Sequence, residues 1–150
     1  MQFPPAAEGV TTVSVEAFAN ESWPDGPLCR CLEISGRHTV VSRGIDANQL
    51  RPGGFISGPT QFGLADMALW FACFGAIGFE AMAMTSEMSI RFLRPATGST
   101  GFARAVLDSV GGRTIVGSVT VWTDDRDRPT AVAQGSYARP RQLPRQNLGS

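Results

Sequence analysis

Histidine is almost absent from this 150-residue chain, which contains one, His38. A Ser-His or Cys-His nucleophile would have to use that residue, and a His-rich metal site cannot be built. Cysteine is sparse and odd in number, at Cys29, Cys31 and Cys73. Together with the lack of a basic-then-apolar leader at residues 1–5, this points to a reduced, cytoplasmic protein with buried, inert thiols. An excess of charge is lacking too: 13 basic residues balance 13 acidic ones, so no net field recruits nucleic acid or an anionic membrane. No G-x-S-x-G, Walker or G-x-G-x-x-G motif occurs, and no paired C-x-x-C, which removes the common nucleotide, hydrolase-elbow and zinc-ribbon readings.

What is present is one soluble domain's worth of chain, 43% hydrophobic, with 17 Gly and 10 Pro marking many turns. Residues 13–21 suit a short helix, stopped by the turn formers of 22–27. Residues 28–32 and 39–43 read as a hairpin around Ser35-Gly36-Arg37, with His38 a surface residue beside the turn, and 48–57 as a Gly-rich loop. The stretch 62–79, FGLADMALWFACFGAIGF, has one charge, Asp66. It approaches the length of a membrane span, but its glycines, its carboxylate and the amphipathic strands after it predict a buried core helix. Ser57 or Gly58 suits the cap of that helix and Pro59 its first position.

Four alternating stretches follow, 84–93, 101–107, 114–122 and 130–137, separated by turn chemistry. In the first, Met88, Ile90 and Phe92 share one face and Glu87, Ser89 and Arg91 the other. Hairpin, long helix and four-stranded meander together predict an α+β hotdog fold, a curved antiparallel sheet wrapped around one long central helix. The predicted domain is 1–137, and the Arg- and Pro-rich 138–150 reads as a disordered tail.

The run RPGGFISGPTQFGLADMALWFA followed by TSEMSIRFLRPATG resembles the PaaI-like branch of the hotdog acyl-CoA thioesterases, over residues 46–137. Most members carry Asn-Pro, a short spacer and His-Gly-Gly before the helix, with an acidic residue eight positions after the first glycine. Gly58 and Asp66 match that glycine and acid. Arg51 stands at the asparagine position, Ser57 at the histidine and Pro59 at the second glycine, which resembles a sub-branch with Arg-Pro-Gly-Gly and Ser-Gly-Pro. The resemblance implies hydrolysis of a small or aromatic acyl-CoA without a cofactor or metal, in a homodimer and a dimer of dimers. It also places Thr85 where some relatives carry a Ser or Thr that orients water.

Thioester hydrolysis needs donors for the developing oxyanion and a carboxylate to activate water or attack the carbonyl. The first amides of a helix have no internal partner, and Gly58 has no side chain to obstruct a carbonyl. Asp66 supplies the carboxylate. Eight residues at ~1.5 Å rise set Asp66 about 12 Å from Gly58 along one helix, so the acid acting at a given Gly58 must come from a partner chain.

The plainer readings stand beside these. Asp66 could be a structural carboxylate, Ser57 a helix cap and Thr85 an ordinary strand residue. Arg51, Arg94 and Arg113 could bind coenzyme A phosphates or be solvated surface charges. Trp70, Phe71 and Phe74 are core by default, with some lining an acyl pocket. The alternative function is a non-catalytic hotdog that binds acyl-CoA or a related ligand. A hydratase or dehydratase is disfavoured, since those families resemble one another in an Asp-His or Glu-His pair and His38 lies in no such sequence context.

Overall fold

A computed structural model describes residues 2–79 and 83–140. The first helix, α1 (Thr12–Ser22), starts at a reciprocal cap: Ser14 N–H donates to Thr11 Oγ1 at 3.0 Å and Thr11 N–H donates to Ser14 Oγ at 2.8 Å, satisfying amides that the helix itself leaves orphaned. The hairpin strands are β1 (Cys29–Ile34) and β2 (His38–Gly44). The Gly-rich loop carries a 3-10 turn (Ala47–Gln49) and a minimal hairpin of β3 (Leu50–Arg51) and β4 (Phe55–Ile56). The long helix α2 (Gly58–Ile77) follows, then β5 (Met84–Phe92), β6 (Thr100–Val110), β7 (Thr114–Trp122) and β8 (Ala131–Ala138).

All six long strands form one antiparallel sheet in the order β1-β2-β6-β7-β8-β5. The expected four-stranded meander is therefore corrected. Strands β6, β7 and β8 do run as a meander, but β5 pairs with β8 at the far edge. Residues 93–99 then cross back to β6 beneath the start of α2, where Ile56 N–H donates to Ala96 O and Ile45 N–H to Ser99 O, both at 2.8 Å. Alternation along a strand shows which side chains face the core and says nothing of which strand lies alongside.

The sheet curves around α2, whose Phe71, Phe74, Leu64 and Leu69 are fully buried, so the apolar stretch is a core helix. Gly117 of β7 and Gly135 of β8 are register partners, and an added Cβ would stand 2.5 and 3.1 Å from the two methyl carbons of Leu69. This glycine pair lets sheet and helix approach at that level. At the other edge α1 packs on β1. His38, expected at the surface, is buried, with its ring stacked on Phe3 at 4.8 Å; the N-terminal segment covers it. Of the expected tail, Ala138 closes β8, and 141–150 lie outside the described residues.

Candidate active site

Ser57 caps α2: its Oγ accepts from Thr60 N–H at 3.2 Å and meets Thr60 Oγ1 at 2.8 Å. Gln61 N–H donates to Ser57 O, and Pro59 has no N–H to give. The first turn thus keeps one amide without a partner among the described residues, that of Gly58, at the positive end of a 20-residue helix. An anionic oxygen is the natural acceptor for that donor. Pro59 is the second helical residue, one place later than predicted.

Gly58 lines a cleft of about 500 Å³ together with Arg51, Phe55, Gln61, Phe92 and Arg94. Two expected arginines thereby join the expected glycine, brought there by the β3–β4 hairpin and by the 93–99 crossing. A Cβ on Gly58 would stand 3.2 Å from Phe92 Cζ, so the bare backbone at this position keeps the aromatic ring close. Arg113 is not part of this group. It sits in the β6–β7 turn, where its carbonyl accepts from Arg139 N–H at 2.8 Å.

Asp66 lies two turns further along α2 and opens into a separate cleft, also about 500 Å³, formed with Trp23, Met67, Trp70, Met84, Thr85 and Tyr137. Thr85 Oγ1 donates to Asp66 Oδ1 at 2.7 Å, so the structure brings that expected pair together. Strict alternation would have turned Thr85 away, since Met88 and Ile90 are the inward residues of β5. A bulge at Ser86 shifts the register between Thr85 and Glu87 and places Thr85 opposite Tyr137, re-aiming the hydroxyl at the helix.

Tyr137 was not anticipated. Its ring is 3% exposed, and its hydroxyl donates in a short bond to Asp66 Oδ1 and at 3.0 Å to the Asp66 carbonyl oxygen. Burial first, and then the neighbouring Asp66 charge, push the phenol above its ordinary titration range, so it stays a neutral donor. The signal was present: Ala131, Ala133, Gly135 and Tyr137 share the inward face of β8, and a buried hydroxyl facing the one charged residue of the helix needs a partner.

Of the aromatic residues of α2, Phe71 and Phe74 belong wholly to the core and Trp70 reaches the Asp66 cleft. The three cysteines are buried and free, and burial pushes Cys29 up to about 11 and Cys31 and Cys73 up to about 12. These thiols are inert at neutral pH.

The two clefts share no residue. One contains the Gly58 amide and is lined by Arg51 and Arg94, the other a clamped carboxylate with an aromatic and thioether lining. Neither alone holds the parts for acyl transfer.

A family model for the thioesterase superfamily matches residues 53–130, just over half of the chain, and takes in the Gly58 turn, all of α2 and strands β5 to β7. No curated protein matches the chain significantly. Among solved structures, a thioesterase candidate from Silicibacter sp. is 24% identical, with 93% of this chain and 99% of that one covered at a TM-score of 0.81. A thioesterase from Haemophilus influenzae is 14% identical over 94% of this chain and 98% of its own, at 0.80. The PaaI protein of the E. coli phenylacetic acid degradation operon is 22% identical, covering 85% and 92%, at 0.67. These likenesses show a common hotdog fold, and the resemblance read from residues 46–137 is borne out in family and fold.

Proposed function

The chain belongs to the thioesterase superfamily, and from that premise we propose that it hydrolyses acyl-CoA thioesters with small or aromatic acyl groups, at sites shared between two chains. The observation that carries this reading is the separation of Gly58 and Asp66 into two clefts at opposite ends of one strand. Phe92, at one end of β5, lies over Gly58; Thr85, near the other, bonds Asp66. Strand β5 is the last of the sheet order, with one edge unpaired among the described residues, and its Met84 and Phe92 are 63% and 49% exposed. An open edge is a template for a second strand.

Pairing β5 with its own copy about a two-fold axis between Met88 and Ser89 sets Thr85 of each chain opposite Phe92 of the other. Thr85 and Phe92 are seven residues apart, about 24 Å of extended strand. That single operation brings each Asp66 to the partner's Gly58 and makes two equivalent sites.

In each site the thioester carbonyl points at the Gly58 amide, whose proton meets the negative charge that develops on oxygen. Asp66 either accepts a proton from the attacking water or attacks the carbonyl carbon itself. The C–S bond breaks in both routes with its electron pair on sulfur, and the coenzyme A thiolate takes up the proton that the hydrolysing water gives. Arg51 and Arg94, at the Gly58 cleft, suit the phosphates of coenzyme A. Trp70, Met84 and Trp23 suit an apolar or aromatic acyl group beside Asp66. Ser57 acts through the helix start it caps. Free, buried thiols fit the reducing cytoplasm.

The purified protein, offered a panel of acyl-CoAs with free-thiol release as the readout, is expected to turn over the small or aromatic members, and Asp66→Asn to abolish that turnover with the fold intact. Sedimentation of the same preparation is expected to show a dimer or a dimer of dimers. Saturable binding of acyl-CoA with no thiol release would establish the non-catalytic alternative.

A further inference from the structure

Asp66 has two oxygens that are chemically equivalent in a free carboxylate, and the fold makes them unequal. Thr85 and Tyr137 both donate to Oδ1, while Oδ2 carries no hydrogen bond among the described residues. The two donors come from strands that are neighbours in register, Thr85 opposite Tyr137, so their spacing is fixed by the sheet; the bulge at Ser86 aims Thr85 and the alternation of β8 aims Tyr137. On the other side the helix carries the carboxylate, and Tyr137 also reaches the Asp66 carbonyl oxygen at 3.0 Å, tying the side chain to its own backbone.

We propose that Tyr137, with Thr85, is a positioning residue that holds Asp66 through Oδ1 and leaves Oδ2 as the oxygen that reacts. The inference rests on the reading of Asp66 as the catalytic carboxylate. Its chemistry is the same on either route. When Asp66 takes a proton from water, the proton goes to Oδ2 and Oδ1 becomes the carbonyl oxygen of the acid. When Asp66 attacks, the new C–O bond forms at Oδ2 and Oδ1 becomes the carbonyl oxygen of the mixed anhydride, which water later cleaves. In both cases Oδ1 remains an acceptor, and the two hydroxyls need not move during the reaction. Reaction at Oδ1 would require both donors to be displaced, one of them from a buried ring.

Removing the phenol hydroxyl takes from the carboxylate one of the contacts that fix its direction. Tyr137→Phe keeps the ring that lines the cleft, so KM is expected to hold while kcat falls about ten- to a hundredfold, the range spanned by a hydrogen bond to a charged partner. A fall in kcat at constant KM is not what a loss of packing or of substrate binding would produce. Thr85→Val is expected to lower kcat in the same way and Thr85→Ser to recover most of the loss; this pair carries the test if Tyr137→Phe does not fold.

Tyr137 is also the chain's only tyrosine, which gives a readout free of any substrate. Protein labelled with carbon-13 at the tyrosine Cζ shows one resonance, expected to shift in Asp66→Asn as the phenol exchanges a carboxylate acceptor for an amide. An unshifted resonance in Asp66→Asn, or a Tyr137→Phe enzyme with the parent's kcat while Asp66→Asn is inactive, overturns the inference alone. An active Asp66→Asn enzyme overturns the catalytic reading of Asp66, and the inference with it.

Discussion

Two inactive chains should make an active enzyme if the site is shared. In Asp66→Asn the amide keeps the shape of the carboxylate and removes the base. In Gly58→Val a branched side chain must fit where even a Cβ would stand 3.2 Å from Phe92 Cζ, so either the ring or the helix start moves, and the unpaired amide moves with it. One oxyanion donor is worth ~3 kcal/mol, on the order of a hundredfold in rate. Each variant alone should therefore be nearly silent on a substrate that the parent hydrolyses.

A mixed dimer contains one site with a normal Gly58 and a normal Asp66 from different chains, and one site with both lesions. Random pairing of equal amounts puts about half of all dimers in the mixed state, and one of its two sites works, so about a quarter of the parent's activity should return. A site built within one chain gives a different number, since every site would then carry one lesion and no activity could return. Co-expression with two different affinity tags and purification through both isolates the mixed dimer, for which the expectation is half of the parent's rate. A doubly tagged dimer with the silent rate of its parents would refute the shared site and with it the two-fold pairing of β5.

Arg51→Ala and Arg94→Ala should each raise KM several-fold with kcat little changed, and the effect should shrink at high salt because both guanidinium groups are exposed. Against an acyl-pantetheine substrate that lacks the nucleotide phosphates the two variants should match the parent, and Arg113→Ala, outside the Gly58 cleft, should leave KM for acyl-CoA unchanged; equal losses on both substrates would remove the phosphate role. Asp66→Ala leaves the Thr85 hydroxyl without its acceptor and Tyr137 with the carbonyl alone, so it should cost about 1–2 kcal/mol, or a few degrees in Tm, by calorimetry. Burial first, and then Arg104, hold His38 below its ordinary pKa, with Glu33 opposing. The folded state therefore binds that proton less readily than the unfolded one, and stability should be full above the unfolded value of about 6.5 and fall as the pH drops below it. His38→Phe keeps a ring for Phe3 to stack on and should flatten the Tm against pH curve in that window; an unchanged slope would assign the acid loss to other groups.

The central helix and its start were legible because each signal there is local. Ser57 before Pro59 marks a helix start, and a long apolar run with one carboxylate marks a core helix; α2 spans Gly58–Ile77 with Ser57 as its cap. Strand positions were legible from alternation for the same reason. The place of β5 was not, because the crossing of residues 93–99 is fixed by how the sheet closes around α2 and not by any residue in the turn. His38 was misread because a residue beside a turn is exposed unless something distant covers it, and Phe3 does so from 35 positions away. Arg51 and Arg94 gather at Gly58 through two separate loops, while Arg113 is held in the β6–β7 turn by a backbone bond from Arg139.

Thr85 and Tyr137 show where sequence reading reaches its limit at the site itself. By period two, Thr85 belongs with Glu87 on the outer face of β5, and its meeting with Asp66 depends on one extra residue, Ser86, whose hydroxyl is bonded to Ser136 at 2.9 Å. The bulge turns the Thr85 hydroxyl of the exposed edge strand toward the side on which β8 already presents the buried Tyr137 hydroxyl, so that both meet a single carboxylate oxygen. It stands at the end of β5 that the two-fold pairing would set against the partner's Phe92 and Gly58. One inserted residue would then both orient the acid and set the end of the strand from which that acid is offered to the neighbouring chain.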